Sequence, residues 1–458
     1  MSSMESITVG AIRGAQLPAA KSRSLFEGSL LAALRGMPSE SAADDQVRAR
    51  REALEWLELH GLPSTHDEAW RNASISDLSK THAVVSYGDV GANAGLLEKA
   101  RASVIATDRA LFLVDGIAST NARPMPGVRW QRLTEALSDP RVRAQFGAHV
   151  RLDNGFVAAN SAGFSDGWCI MIEPGTVFRE PLEVCIVSST HIDGQVTLPR
   201  LFVSAGAGSQ VRLLERHYSS QGVTTLSNVV TEIVVDEGAL VEHDRWIDHG
   251  NGTWAVASTA VAVAQNAEYR SWSITGRGRF VRHDLDVRLS GKRAKAVLDG
   301  LYYARTGQLV DQHTRVWHEQ PEGVTKECYR GVIEDRGRGI FDGIIFVGRG
   351  SMQTDARQEN RNLLLGPEAI AHTKPHLEID ADDVTCSHGA TIGQLDDQQL
   401  FYLRARGISE AESKSVLTWA FAKEIVDRGH DECLRGEIER SLQRDLDIVA
   451  VDVKESAQ

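Results

Sequence analysis

The chain has 458 residues, of which 42% are apolar and 24% charged, and its formal net charge is −12. This composition is typical of a globular protein of two or three domains. The acidic balance argues against nucleic-acid binding, which requires clustered positive charge. No run approaches the roughly 18 apolar residues of a membrane span. The opening residues lack the apolar region of a secretory signal, and five scattered cysteines fit a reducing compartment. We therefore expect a cytoplasmic protein without membrane contact.

Residues 1–155 are predicted to form a mostly helical region. The segment "DQVRARREALEWLELHGLP" repeats apolar residues at helical spacing and places Val47, Leu54 and Leu57 on one face. It then reaches Gly-Leu-Pro, which is a helix stop.

Residues 156–392 show a different pattern, with short Val- and Ile-rich runs that alternate every two residues. Four similar runs begin at Phe202, Ile233, Val261 and Val287, so their starts lie 31, 28 and 26 residues apart. One strand–turn–strand unit cannot bury its own face and must stack on a neighbour. The repeat therefore favours a parallel β-helix. A β-sandwich is the alternative, since regular short strands also suit it.

Residues 393–458 return to helical spacing. A capping box begins at Ser409 and predicts a helix start, and Leu417, Phe421 and Ile425 follow as one apolar row. Amphipathicity alone does not distinguish a row that packs on the protein body from one that binds a partner. Both interpretations stay open here.

Several catalytic motifs are missing from the sequence. No G-x-x-x-x-G-K-[ST] segment occurs, so nucleotide hydrolysis through a P-loop is not expected, and no G-x-S-x-G elbow or H-E-x-x-H zinc motif occurs either. Acidic residues that would suit a polysaccharide-cleaving β-helix are present, but nothing singles out a pair. These residues are Asp335, Asp342, Asp355, Glu359, Asp382 and Asp383.

The stretch "DDVTCSHGATIGQLDD" places Cys386 and His388 two residues apart. On a strand both side chains would project from the same face, and both are good ligands for iron or zinc. Two ligands are too few for a closed site, so a purely structural pair is the alternative. His372 and His376 in "HTKPH" are further candidates, although Pro375 between them argues against a shared helical face.

Residues 341–409 closely resemble the core motif of the SufB/SufD family of iron–sulfur cluster assembly proteins. The matching elements are residues 343–347, 354–355, 362–365, 373–379, 386–391 and 400–408. The segment "TKPHLEIDADDVTCSHGAT" is more similar to the corresponding segment of SufD proteins than to that of SufB proteins.

This resemblance implies a mainly β fold, with a right-handed parallel β-helix core flanked by N-terminal and C-terminal α-helical regions. It also implies a non-catalytic scaffold that pairs with a SufB-like paralogue through the β-helix. A SufC-like ABC ATPase would bind the C-terminal helices, where Leu417, Phe421 and Ile425 are the candidate contacts. The ATPase would hydrolyse the nucleotide, so none is expected on this chain. Whether a flavin binds, or whether the isolated chain forms a homodimer through the same edge, stays open.

The resemblance further implies that His388 is a ligand for iron or a transient iron–sulfur cluster at the interface with the paralogue. The thiolate of that site would come from the other subunit. Cys386 is the second candidate ligand, with the alternative that it faces the core as a small apolar residue. Two other functions stay open, namely a cytoplasmic β-helix enzyme acting on a carbohydrate and a purely structural interaction module.

Overall fold

The computed structural model describes residues 23–37, 44–87, 93–105, 108–120 and 122–446. The helices of these residues are α1 (Leu25–Arg35), α2 (Asp44–His60), α3 (Ala94–Ser103), α4 (Leu133–Ala136), α5 (Pro140–Gln145), α6 (Gly155–Gly163), α7 (Asp397–Ala405), α8 (Glu410–Val426) and α9 (Glu432–Asp445). The strands are β1 (Val84–Val85), β2 (Ala110–Val114), β3 (Ile117–Thr120), β4 (Val128–Arg132), β5 (Gly167–Ile172), β6 (Val177–Ser188), β7 (Gln195–Thr197), β8 (Arg200–Ala205), β9 (Gln210–Ser219), β10 (Thr225–Val235), β11 (Leu240–Asp248), β12 (Thr253–Val263), β13 (Glu268–Thr275), β14 (Phe280–Leu289), β15 (Lys295–Ala304), β16 (Leu309–His318), β17 (Val324–Ile333), β18 (Arg338–Val347), β19 (Thr354–Leu364), β20 (Ile370–Ile379) and β21 (Val384–Gly393).

The strands wind into a parallel β-helix, as the sequence predicted. One sheet, here called the first sheet, runs in the order β20-β18-β16-β14-β12-β10-β8-β5-β4, and the second runs β21-β19-β17-β15-β13-β11-β9-β6-β2-β3. From β8 onward the chain alternates between the sheets, so one strand from each makes a coil, and neighbouring coils pair in parallel. A β-sandwich would require antiparallel pairing, so that alternative is wrong.

The repeat that the sequence suggested is the coil itself. Ile233, Val261 and Val287 lie side by side in adjacent strands of the first sheet, together with Val203. Phe202, from which the sequence repeat was counted, is therefore one residue out of register. Each turn from the first sheet to the second, from β5–β6 to β18–β19, contains one residue of left-handed backbone conformation, and glycine fills this place only in the early coils. These residues are Gly175, Gly208, Gly238, Asn266, Arg293, Glu322 and Gln353.

The N-terminal helices cover the outer face of the first sheet. Phe26 of α1, Leu57 of α2 and Phe156 of α6 are fully buried, and they share one apolar cluster with Leu226 and Trp254 of the sheet. The row predicted on α2 therefore packs on the protein body. Helix α6 begins at Gly155, so it lies almost entirely within the region predicted as the β-helix core. The domain limits at residues 155 and 392 stay a prediction.

The C-terminal helices α8 and α9 cover the outer face of the second sheet. Ile425 is fully buried there, and its carbonyl oxygen accepts a hydrogen bond of 2.7 Å from the indole N–H of Trp272. Ion pairs add to this apolar contact, because Arg330 of the sheet lies 2.8 Å from Glu424 on α8. Burial of this kind stabilises the helices far more than their own propensity does.

No helix among the described residues is long and apolar enough to cross a membrane. Residues 1–22, on which the prediction of a missing secretory signal rests, lie outside the described residues.

Candidate functional site

The β-helix ends in an open coil. Strands β20 and β21 each pair with a single neighbour, β18 and β19 respectively. Each strand therefore has one edge whose backbone N–H and C=O groups lack ladder partners within the described chain, and such edges are templates for pairing with another chain. Their inward-facing residues have no further coil above them, so Ile379 is 40% exposed and Ile392 47% exposed.

Cys386 and His388 both lie on β21 and project from the same face, as their spacing predicted. Cys386 is in register with the fully buried Ala356, and it is half-buried against the main apolar core. Burial raises the pKa of its thiol, so the group is protonated at neutral pH. His388 lies two residues further along the strand and is exposed.

His372 and His376 do not join this pair. They lie on β20, where they point outward and are exposed, and His376 Nε2 lies 3.3 Å from an oxygen of Glu378. Pro375 sits between them in the strand, which is tolerated because proline is restricted to edge strands. These two histidines are therefore surface residues on the opposite side of the sheet from the coil interior.

Two polar residues that the sequence did not single out lie inside the coil next to His388. Gln358 of β19 is in register with His388, and Glu327 of β17 is in register with Gln358. Both are only 3% exposed, and Glu327 Oε2 accepts a hydrogen bond of 2.7 Å from Gln358 Nε2. Burial raises the pKa of Glu327 to about 7.

The spacing of these residues is the signal that would have found them. Residues 327, 358 and 388 are separated by 31 and 30 positions, which is the length of one coil. A repeat of that length brings residues of successive coils into one row. The row Glu327–Gln358–His388 therefore follows from the coil length once one of its members is known.

A second buried polar cluster lies in the early coils. Glu215 accepts hydrogen bonds from Arg245 Nε at 3.0 Å and, at 2.6 Å, from His217. Burial opposes its ionisation, but the Arg245 guanidinium outweighs this and holds the pKa of Glu215 well below its ordinary range. The charges in this cluster are thus mutually satisfied, and we interpret it as structural.

Three of the six acidic residues considered for carbohydrate cleavage lie on the outer faces of the two sheets. Asp355 accepts from Arg357 at 3.2 Å, and Glu359 lies 3.5 Å from Arg330, both on the outer face of the second sheet. Asp342 belongs to the outer face of the first sheet, so these carboxylates do not face a common groove.

The apolar row on α8 is mostly used within the chain. Ile425 is fully buried, and Phe421 is partly buried against the same cluster, while a partner contact of this row stays a prediction. Leu417 is half-buried. Among the described residues of the C-terminal helices, the large apolar side chains that remain exposed are Phe401, at 74% exposed, and Tyr402, at 54%, both on α7, and Val416, at 42%, on α8.

The fold and the site define a β-helix protein that has a cysteine and a histidine, Cys386 and His388, on the last strand at its open end. Residues 186–421 match the family described as SUF system FeS cluster assembly, SufBD core domain. This match covers more than half of the chain, and the chain belongs to the SufB/SufD family, as its motifs indicated.

The relatives support this family and a SufD-like member of it. The chain is 28% identical to an iron–sulfur cluster assembly SufBD family protein of Synechocystis, over 87% of this chain and 91% of that protein. It is 31% identical to the SufD protein of Escherichia coli, over 50% of this chain and 55% of SufD. It is also 29% identical to the chloroplastic protein ABCI7 of Arabidopsis thaliana, over 60% of this chain and 59% of that protein. The chain thus spans little more than half the length of the last two relatives.

Proposed function

We propose that this chain is a scaffold subunit of a SUF-type iron–sulfur cluster assembly complex. In this role it pairs with a SufB-like paralogue through the open end of the β-helix, and a SufC-like ABC ATPase binds its C-terminal helices. The observation that carries the proposal is the position of His388, exposed on the last strand beside a free sheet edge.

The open end supports pairing with another β-helix. Edge strands with free backbone groups bind a second strand readily, and Ile379 and Ile392 supply apolar surface around the edge. The same edge would serve a homodimer, which is the alternative for the isolated chain.

His388 then contributes to a shared site for the iron or nascent cluster, which is the cargo of the complex. Among the described residues, no group of three or more His, Cys, Asp and Glu side chains is arranged to hold a metal ion. An iron bound by His388 would therefore take its remaining ligands from the paralogue. Cys386 is the second donor of this chain, although its half-buried side chain favours the core.

The C-terminal helices carry the proposed ATPase contact. Since Ile425 and Phe421 are packed against the second sheet, we place this contact on the exposed aromatic residues Phe401 and Tyr402 of α7, together with the half-buried Leu417 of α8. The chain itself acts as a non-catalytic scaffold in the cytoplasm, and the P-loop that it lacks belongs to the ATPase.

The test is anaerobic purification of the tagged chain from its native cells, followed by mass spectrometry and cluster reconstitution. We expect an ABC-type ATPase and a paralogous β-helix subunit to co-purify in fixed ratio. The His388→Ala variant should keep both partners but lose cluster formation. His376→Ala is the matched control, because it removes an exposed histidine from the other strand of the same coil. Cluster formation that survives His388→Ala unchanged would refute the role of His388, and a chain that purifies alone would refute the scaffold.

A further inference from the structure

The side chain next to His388 in the coil interior is Gln358, and its amide is held in one orientation. Gln358 Nε2 donates to Glu327 Oε2 at 2.7 Å. When Glu327 is ionised, its carboxylate repels the amide oxygen, so the opposite orientation of the amide is unfavourable. Glu327 belongs to the coil before Gln358, and His388 belongs to the coil after it. The amide oxygen is therefore turned away from Glu327, toward the coil that contains His388.

That amide oxygen has no hydrogen-bond partner, although Gln358 is only 3% exposed. Leaving a buried acceptor unsatisfied costs about 1–3 kcal/mol, so such an atom marks a place where a donor is expected. In-register side chains of adjacent strands lie roughly 5 Å apart. His388 is the register partner of Gln358 on the last strand, and a rotation of its exposed side chain would direct a ring N–H toward this oxygen.

The opposite wall of the coil is shaped to leave room for this amide. Gly343 of β18 faces Gln358 across the interior, and a Cβ atom on Gly343 would lie 2.3 Å from Gln358 Nε2. Any larger residue at this position would push the amide out of its place.

We infer that Gln358, oriented by Glu327, is a positioning residue that accepts a hydrogen bond from the His388 ring and fixes its tautomer. This inference rests on the proposed function, because it concerns the same histidine. A fixed tautomer leaves the second ring nitrogen unprotonated, which is the form of imidazole that would bind iron. Histidine ligands commonly donate their other ring N–H to an oxygen acceptor, and loss of that acceptor weakens metal binding about 10- to 100-fold.

The experiment compares the wild-type chain with Gln358→Met, which keeps the length of the side chain but removes the acceptor. Both full-length proteins are labelled with 15N-histidine, and two-bond 1H–15N spectra are recorded at pH 8, where an ordinary imidazole is neutral. The chain contains 15 histidines, and the His388 signal is identified by its loss in His388→Gln. Zn²⁺ alone is then titrated as the metal probe.

The wild-type chain should show one tautomer of His388, and Gln358→Met should show the mixed pattern of a free imidazole together with Zn²⁺ affinity reduced at least tenfold. The matched control is Gln312→Met. Gln312 is another buried glutamine of the coil interior, but its amide donates to Thr275 at 3.2 Å. We expect this control to leave the His388 signal unchanged.

Identical tautomer patterns in the wild type and Gln358→Met would overturn the inference, as would a mixed pattern already present in the wild type. These measurements need no partner subunit. If His388→Ala abolishes cluster formation while Gln358→Met has no effect on the ring, the proposed function stands and only the positioning role fails. If Gln358→Met changes the ring while His388→Ala leaves cluster formation intact, the positioning role stands and the role of His388 in the proposed function fails.

Discussion

Replacing Glu327 with Gln should change how the stability of the chain depends on pH. The Glu327 side chain is 3% exposed, and one of its two oxygens has no hydrogen-bond partner. Burial raises its pKa from the ordinary value of 4.5 to about 7. Between these two values the folded chain keeps a proton that the unfolded chain releases.

The sign of the effect follows from this difference in bound protons. Because the folded state binds more protons than the unfolded state in this window, the free energy of unfolding falls as the pH rises. A rise in pKa of this size corresponds to about 3 kcal/mol in total, and the loss is complete once the pH exceeds about 7. The Glu327→Gln variant has no proton to lose at this position. Its free energy of unfolding, compared with that of the wild type, should therefore increase by about 2.5 kcal/mol between pH 5 and pH 8, since part of the effect is already lost at pH 5.

The measurement is equilibrium unfolding in urea at pH 5, 6, 7 and 8, followed by tryptophan fluorescence in the presence of a chelator. All other titrating groups are common to both proteins, so their contributions cancel in the difference. Glu368→Gln serves as the control, because it makes the same substitution at an exposed position. A difference between Glu327→Gln and the wild type that stays constant across the four pH values would refute the reasoning.

Three further predictions concern packing and partner contact. Gly343→Ala should destabilise the chain by about 1–3 kcal/mol in urea unfolding, because its Cβ would overlap Gln358 Nε2. Ile425→Ala should cost about 2–5 kcal/mol, since the side chain is fully buried between α8 and the second sheet, and limited proteolysis should then release the C-terminal helices first. Phe401→Ala combined with Tyr402→Ala should reduce the co-purified ATPase roughly 30-fold or more without changing stability, because buried aromatic anchors contribute about 2 kcal/mol or more at interfaces.

Each of these predictions has an outcome that would contradict it, and the glycine variant also has a matched control. Gly389→Ala places a Cβ in open space and should be neutral in urea unfolding. Equal stability of Gly343→Ala and Gly389→Ala would contradict the packing argument. Release of the N-terminal helices before the C-terminal ones in Ile425→Ala would contradict the second prediction. An unchanged ATPase yield from the double aromatic variant would move the proposed contact away from α7.

The coil architecture was accessible from the sequence because the chain repeats itself. One coil is about 30 residues, and apolar residues recur at that spacing, so Ile233, Val261 and Val287 were found in their true register. Phe202 was misplaced by one residue because Val203 beside it is equally apolar. Alternation identifies a strand, but two adjacent apolar residues do not reveal which of them faces inward.

The residues that neighbour His388 in the coil interior could not be predicted from the sequence in the same way. Glu327 and Gln358 are residue types that are mostly exposed, and within single strands they look like solvent-facing positions. Their burial follows from tertiary structure, since it depends on which face of each strand the coil turns inward. The row on α8 was ambiguous for the same reason: only the packed structure shows that Ile425 lies on the indole of Trp272.

The place of His388 at the end of the β-helix explains why its ring is available for chemistry. Two histidines of the inner coils contact neighbouring hydroxyl groups: His243 Nδ1 lies 3.0 Å from the Tyr269 hydroxyl, and His318 Nε2 lies 2.9 Å from the Thr325 hydroxyl. Within the part of the chain that the structure describes, His388 has a neighbouring strand on one side only, because no coil follows β21 there. A further coil would bury the ring and supply it with such partners. The missing coil therefore leaves one side of the imidazole free, and a second β-helix that docks on this edge could bring its own ligands to that side.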